Sequence, residues 1–174
     1  HWFLTGEGQM LRSTGETSSP LPLLQDTNED DEESSTEALQ RIPLVRFATD
    51  ENGAPVLKDG GAAEWLPKSF IRQTYGTDPA LLKRFRVSGD AMQDSLRPGD
   101  QARGVLWTGE SLTDGAIYLI FSGPGVVYRR VRFAGDVVRL AADHPEIEPQ
   151  TIEVGAWTQE FRPVAQILEV VRAL

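Results

Sequence analysis

Few residues in this chain can do chemistry, and the most informative stretch runs from Phe85 to Asp100. Cysteine is absent, so disulfides and thiolate metal sites are excluded. His1 and His144 are the only imidazoles, too few for a His-rich metal centre. Carboxylates alone can hold a metal, but no loop of spaced Asp and Glu ligands is present, so neither a metal nor another cofactor is expected. The stretch reads Phe85-Arg86-Val87-Ser88-Gly89-Asp90-Ala91-Met92-Gln93-Asp94-Ser95-Leu96-Arg97-Pro98-Gly99-Asp100. Its Gly-Asp pairs mark turns, and Met92 with Leu96 at helical spacing suits a core. Ser88 and Ser95 carry hydroxyls, and a serine becomes a nucleophile only beside a base that takes its proton. Farther on stands the doublet Arg129-Arg130. A guanidinium keeps its proton under ordinary conditions, so it offers an ion pair and no base.

The elements that would position these residues are mostly short β-type runs. Ile42, Leu44, Val45 and Phe47 predict a strand closed by the turn Asp50-Glu51-Asn52-Gly53. Ala62 to Tyr75, with Trp65, Leu66, Phe70 and Ile71, predicts a short helix with Pro67 in its first turn. Leu81–Val87 continues as a strand to Ser88-Gly89-Asp90, followed by a helical turn over Ala91–Leu96 and the turn Arg97-Pro98-Gly99-Asp100. Ala102–Trp107, Ala116–Phe121, Val126–Phe133 and Val137–Ala141 are strands separated by Gly, Asp or Pro, as in a curled antiparallel sheet. Val164–Val171 has helical spacing, but its β-branched residues favour a strand.

Composition sets the limits. A chain of 174 residues with 40% apolar and 25% charged residues can bury a real core. No apolar run is long enough for a membrane span, and the N-terminus lacks the pattern of a signal peptide. The net charge of −9 is concentrated between Ser13 and Gln40, which carry eight acidic residues and no Lys or Arg. Residues 41–174 are nearly balanced, with sixteen basic and seventeen acidic residues. Such a balance lacks the cationic footprint of a nucleic-acid binder, so the chain is not expected to grip DNA by itself. Residues 13–40 therefore read as an acidic flexible linker and residues 41–174 as the folded domain.

Taken together, these segments resemble the C-terminal domain of LexA and phage CI-type repressors. Val87-Ser88-Gly89-Asp90-Ala91-Met92 followed by Leu96-Arg97-Pro98-Gly99-Asp100 is similar to the family's Val-x-Gly-Asp-Ser-Met and Leu-x-x-Gly-Asp, which places Gly89, Asp90, Met92, Gly99 and Asp100 in the motif. Val127-Tyr128-Arg129-Arg130-Val131 resembles its Val-x-Lys-Arg-Val strand. Leu140-Ala141-Ala142-Asp143-His144-Pro145 resembles its Leu-x-Ser-Asp-Asn-Pro turn, and Gln166–Val171 its closing strand. Residues 1–12, beginning His1-Trp2-Phe3-Leu4-Thr5-Gly6-Glu7-Gly8, look like the exit from a helix-turn-helix domain. The resemblance implies a mainly β fold of the LexA/signal-peptidase-like kind, with curled antiparallel sheets and one or two short helices.

The resemblance also implies a serine–lysine dyad that cleaves the chain itself, and here the sequence departs from the pattern. Ala91 stands where the family has its nucleophile, and Arg129 where it has its base. A methyl group cannot attack a carbonyl, and Arg129 cannot accept the proton. Ser88 and Ser95 lie three or four residues from the required position and gain no base. The cleavage region, with Ala48, Thr49, Gly53 and Ala54, contains no Ala-Gly bond of the type the family cuts. The chain is accordingly expected not to be an enzyme, with Arg129 either paired with a carboxylate such as Asp90 or solvated. The function implied is a dimerisation or oligomerisation domain of a phage- or prophage-type repressor in the bacterial cytoplasm. Its partners would be a second copy of itself, operator DNA through a helix-turn-helix domain, and a protein antirepressor, with no membrane involved. Val126, Tyr128, Ile167, Val170 and Val171 are the interface candidates. The alternative is a self-cleaving, SOS-responsive repressor captured as an inactivated variant.

Overall fold

The computed structural model describes residues 37–123, 125–156 and 161–172. The expected helix-turn-helix exit and residues 13–36 of the expected linker lie outside them. The described chain is mainly β, as its alternating and short apolar runs imply. Nine strands form one sheet: β1 (Leu39–Thr49), β2 (Pro55–Pro67), β3 (Leu82–Arg86), β4 (Gln101–Leu106), β5 (Ile117–Ser122), β6 (Gly125–Ala134), β7 (Val137–Ala141), β8 (Gln150–Glu153) and β9 (Phe161–Val171). Their order across the sheet is β2-β1-β3-β4-β9-β5-β6-β7-β8. All neighbours are antiparallel except β1 and β3, which run parallel through Leu44 opposite Arg84 and Val45 opposite Phe85. Among the described residues, the helical content is one helix, α1 (Lys68–Tyr75), and a 3-10 turn at Pro79–Leu81.

Two expectations about elements need correction, and one strand was not foreseen. Ala62–Leu66 is strand, not helix: Ala63, Glu64 and Trp65 pair with Pro43, Ile42 and Arg41 across the β1–β2 ribbon. Tertiary pairing overrides local helical spacing there, and Pro67 precedes α1 with an extended ψ of 132° instead of sitting in its first turn. The expected linker is also too long, because Leu39 and Gln40 already belong to β1. Finally, β8 gives little sequence signal. Ile152 is its single apolar residue, and pairing with β7 buries it.

The core divides between the two faces of β5. β5 supplies Leu119 and Phe121 to one cluster with Phe85, Met92, Leu96 and Tyr128, and Tyr118 and Ile120 to another with Val131, Val138, Leu140 and Ile152. A strand buried on both faces needs a continuous apolar run, and Ile117-Tyr118-Leu119-Ile120-Phe121 provides it. A third cluster joins Ile42, Ile71 and Leu82, pinning α1 onto β1 and the start of β3. Phe47 seals the first cluster, stacked on Phe85 with ring centroids 6.3 Å apart and edge-on to Phe121 at 6.0 Å.

Candidate functional site

The segment after β3 leaves the sheet, turns twice and returns as β4, and each turn depends on a Gly-Asp pair. At the second, the Asp100 N–H donates to the Arg97 carbonyl at 3.0 Å, and an Asp100 carboxylate oxygen accepts from the Arg97 N–H at 3.0 Å. Gly99 has φ of 91°, a conformation a Cβ disfavours, while Pro98 suits the preceding turn position. Val87 closes the excursion, its N–H donating to the Asp100 carbonyl and its carbonyl accepting from the Gly99 N–H. Gly89, with φ of 77°, opens the other turn, where the Gln93 N–H donates to the Asp90 carbonyl. Met92 and Leu96 drop into the core, 2% and 1% exposed. Ala91 is thereby held half-exposed at the surface of this excursion.

Ala91 and Arg129 line one groove of about 320 Å³. Ser88–Met92 form one wall, Val126–Arg129 of β6 the other, and Val87 and Ile147 also contribute. The structure thus brings Gly89, Asp90, Ala91, Met92, Val126, Tyr128 and Arg129 to a single place, while Gly99 and Asp100 sit behind it as turn formers. Arg129 is half-buried, and its Nη1 donates to the Tyr128 carbonyl at 2.8 Å. Among the described residues no carboxylate lies within 4.0 Å of its guanidinium, and desolvation by burial lowers its pKa. The expected pairing with Asp90 is therefore absent, and so is the solvated alternative. Arg129 is the last β6 residue before pairing with β7 begins, and it sits half-buried in the groove. The Asp90 side chain stays exposed.

A polar clamp that the sequence did not reveal holds the Ala91 turn from behind. Arg130 donates through Nε and Nη2 to the two carboxylate oxygens of Asp143, at 3.0 and 2.7 Å. Its Nη1 reaches the Gly115 carbonyl at 2.8 Å and its Nη2 the Ser95 hydroxyl at 3.1 Å. The Ser95 hydroxyl in turn donates to Asp143. Hydrogen bonds from Arg130 hold the Asp143 carboxyl below the usual carboxylate range, with a further contribution from Ser95. The Ser95 hydroxyl thereby tethers the turn to both Arg130 and Asp143. The His144 N–H also donates to the Ala91 carbonyl at 2.9 Å. Both halves of the clamp lay in recognisable segments, but nothing in either segment gives their pairing across the fold.

The other expected positions fall outside the groove. Ala48 and Thr49 end β1, and Gly53 and Ala54 belong to a tight hairpin in which Asp50 Oδ1 accepts from the Asn52 and Ala54 amides at 2.9 and 2.8 Å. Ala48 and Thr49 border a neighbouring depression that shares Val126 with the groove. Of the interface candidates, Tyr128 is 3% exposed with its hydroxyl on the Arg86 carbonyl at 3.2 Å, and burial pushes its pKa up. Ile167 and Val170 pack on the same core cluster, Val126 lines the groove, and Val171 is half-buried opposite Gln101. A second polar cluster binds the far end of the sheet: Arg103 on β4 reaches Glu64 on β2, Glu169 on β9 and the Tyr75 hydroxyl on α1.

A mainly β sheet with a turn-borne groove facing an inner strand is consistent with a LexA-like fold. The chain is similar to the LexA repressor of Photorhabdus laumondii subsp. laumondii, 28% identical over 117 residues that cover 63% of this chain and 57% of that protein. The similarity supports a LexA-like family, and the matched part spans little more than half of the relative's length. No protein-family model matches the chain. Among the described residues, no helix is long and apolar enough to cross a membrane, and no group of three or more His, Asp or Glu is placed to hold a metal.

Proposed function

We propose that this chain is the C-terminal assembly and regulatory domain of a cytoplasmic, phage-type transcriptional repressor that does not cleave itself and is released from DNA by a protein antirepressor. The observation that carries the reading is that Ala91 and Arg129 share one groove. The two positions where the family resemblance expects a nucleophile and a base hold a methyl group and a protonated guanidinium. Neither supplies the lone pair or the proton acceptor that acyl transfer needs. In this reading the domain self-associates, joining two helix-turn-helix heads so that modest contacts between copies become large gains in operator affinity. Self-cleavage being lost, release depends on a bound protein.

The alternative, a self-cleaving repressor caught in inactive form, draws support from the groove remaining open and well formed around both positions. Incubating the chain and its Ala91→Ser/Arg129→Lys double variant at alkaline pH, followed by mass spectrometry, separates the two. The non-cleaving reading expects both to stay intact, because the hairpin at residues 48–54 also lacks an Ala-Gly bond. Fragments from the double variant cut within residues 48–54 would favour the alternative.

A further inference from the structure

The part of β6 that borders the groove is an open strand edge. Alternate residues of a strand turn their backbone N–H and C=O to opposite sides. The Val131 N–H donates to the Ala116 carbonyl and its carbonyl accepts from the Gly115 N–H, so Val131, Arg129 and Val127 turn toward β5. Val126 and Tyr128 therefore turn the other way, where β7 takes up pairing only from Arg130 onward. Among the described residues, no backbone bond reaches the Val126 or Tyr128 amide from that side. Unpaired edge groups in a groove are a template for an extended chain.

Arg129 gives this edge a chemical preference. A guanidinium has five N–H donors, and here one described acceptor, the Tyr128 carbonyl, takes one of them. A half-buried cation with no carboxylate in reach is an unmet demand for an anion, best met by a carboxylate in fork geometry. Asp90 lines the same groove, but among the described residues its exposed side chain forms no ion pair. Past Val126 the groove adjoins a second depression of about 320 Å³, bordered by Phe47, Thr49, Pro55 and Phe121. A ligand held at Arg129 and running along β6 would set an apolar side chain there.

We propose that the groove takes an extended acidic segment of a partner protein, which adds a short strand to the open edge of β6 and sets an Asp or Glu carboxylate on Arg129. This deepens the regulatory reading above by naming the chemistry of the releasing partner, and it rests on that reading for its role. Phage display of random nonapeptides against the full chain, followed by titration of the best peptide in acetylated and amidated form, tests it. The expected peptides carry an acid at one fixed position beside aliphatic residues, and their binding shifts the Val126 and Tyr128 amide signals in nitrogen–proton correlation spectra. Replacing that acid by its amide weakens binding by at least about tenfold, Arg129→Met does the same, and the two losses do not add. Failure to select any peptide, selection of peptides whose only acid is a free C-terminus, or indifference to the acid-to-amide change overturns the proposal. That change lies in the peptide, so the result stands even where Arg129→Met folds poorly. Sedimentation of the chain in parallel separates the two claims. Self-association without peptide binding removes the docking proposal alone, and a monomer removes the assembly reading.

Discussion

Arg129 and Arg130 are adjacent in sequence and opposite in circumstance. Consecutive strand residues point to opposite faces, so one guanidinium enters the groove without a carboxylate while the other is engaged by Asp143, Ser95 and the Gly115 carbonyl. Asp143→Asn removes one charge of that pair and leaves Arg130 partly buried without compensation. The expected cost is about 1–3 kcal/mol at neutral pH by urea unfolding. The pH dependence has a definite sign. Because the folded-state pKa of Asp143 is depressed, its contribution is full above the unfolded value of about 3.9 and is lost as pH falls through the lower folded value. Wild type should therefore lose stability more steeply than Asp143→Asn below about pH 4, and superimposable acid-unfolding curves would refute the clamp.

Among the elements, β4 and β9 form the seam that joins the two parts of the sheet. Gly104 sits at a register shift in that seam, and a Cβ there would lie 2.8 Å from the Gln166 carbonyl oxygen and 3.1 Å from the Phe85 ring. The nearest obstacle is backbone, which cannot swing aside as a flexible side chain would. Gly104→Ala should cost about 1–3 kcal/mol, measured as a lower melting temperature, and a neutral result would mean that β9 shifts freely against β4. The hairpin joining β1 and β2 is held by Asp50, whose carboxylate caps two amides. Asp50→Ala should loosen it by about 1 kcal/mol and raise amide exchange at Asn52 and Ala54 first.

At the scale of the whole molecule, the groove and the core cannot be separated. Val87, Met92 and Tyr128 line the groove and also pack in the first cluster. Met92→Ala should cost about 2–5 kcal/mol and perturb the groove as well, whereas a change confined to the Arg129 head should leave global stability nearly unaltered. Ile167 and Val170 pack on the same cluster, so Ile167→Ala and Val170→Ala should lower folding stability even where the chain is monomeric. Unfolding and sedimentation measured on the same samples distinguish that from a loss of assembly alone. Among the described residues, the exposed large apolar side chains are instead Leu39, Trp65, Phe70, Phe133 and Val154.

Much of this was legible along the chain, because it depends on local chemistry. The Gly-Asp turns and the apolar run of β5 are consequences of residue type and spacing. The presence of Ala91 and Arg129 where the resemblance expects a nucleophile and a base was equally legible. Only the tertiary structure could turn Ala62–Leu66 from helix into strand, because cross-strand partners twenty or more residues away outweigh a weak local preference. Only it could make a strand of β8, whose single apolar residue finds burial against β7. It alone set Arg129 in a groove and gave Arg130 to Asp143, since which guanidinium meets a carboxylate depends on how the strand curls and which distant turn lands beside it. Residue identity decides what a group can do, and packing decides what stands next to it.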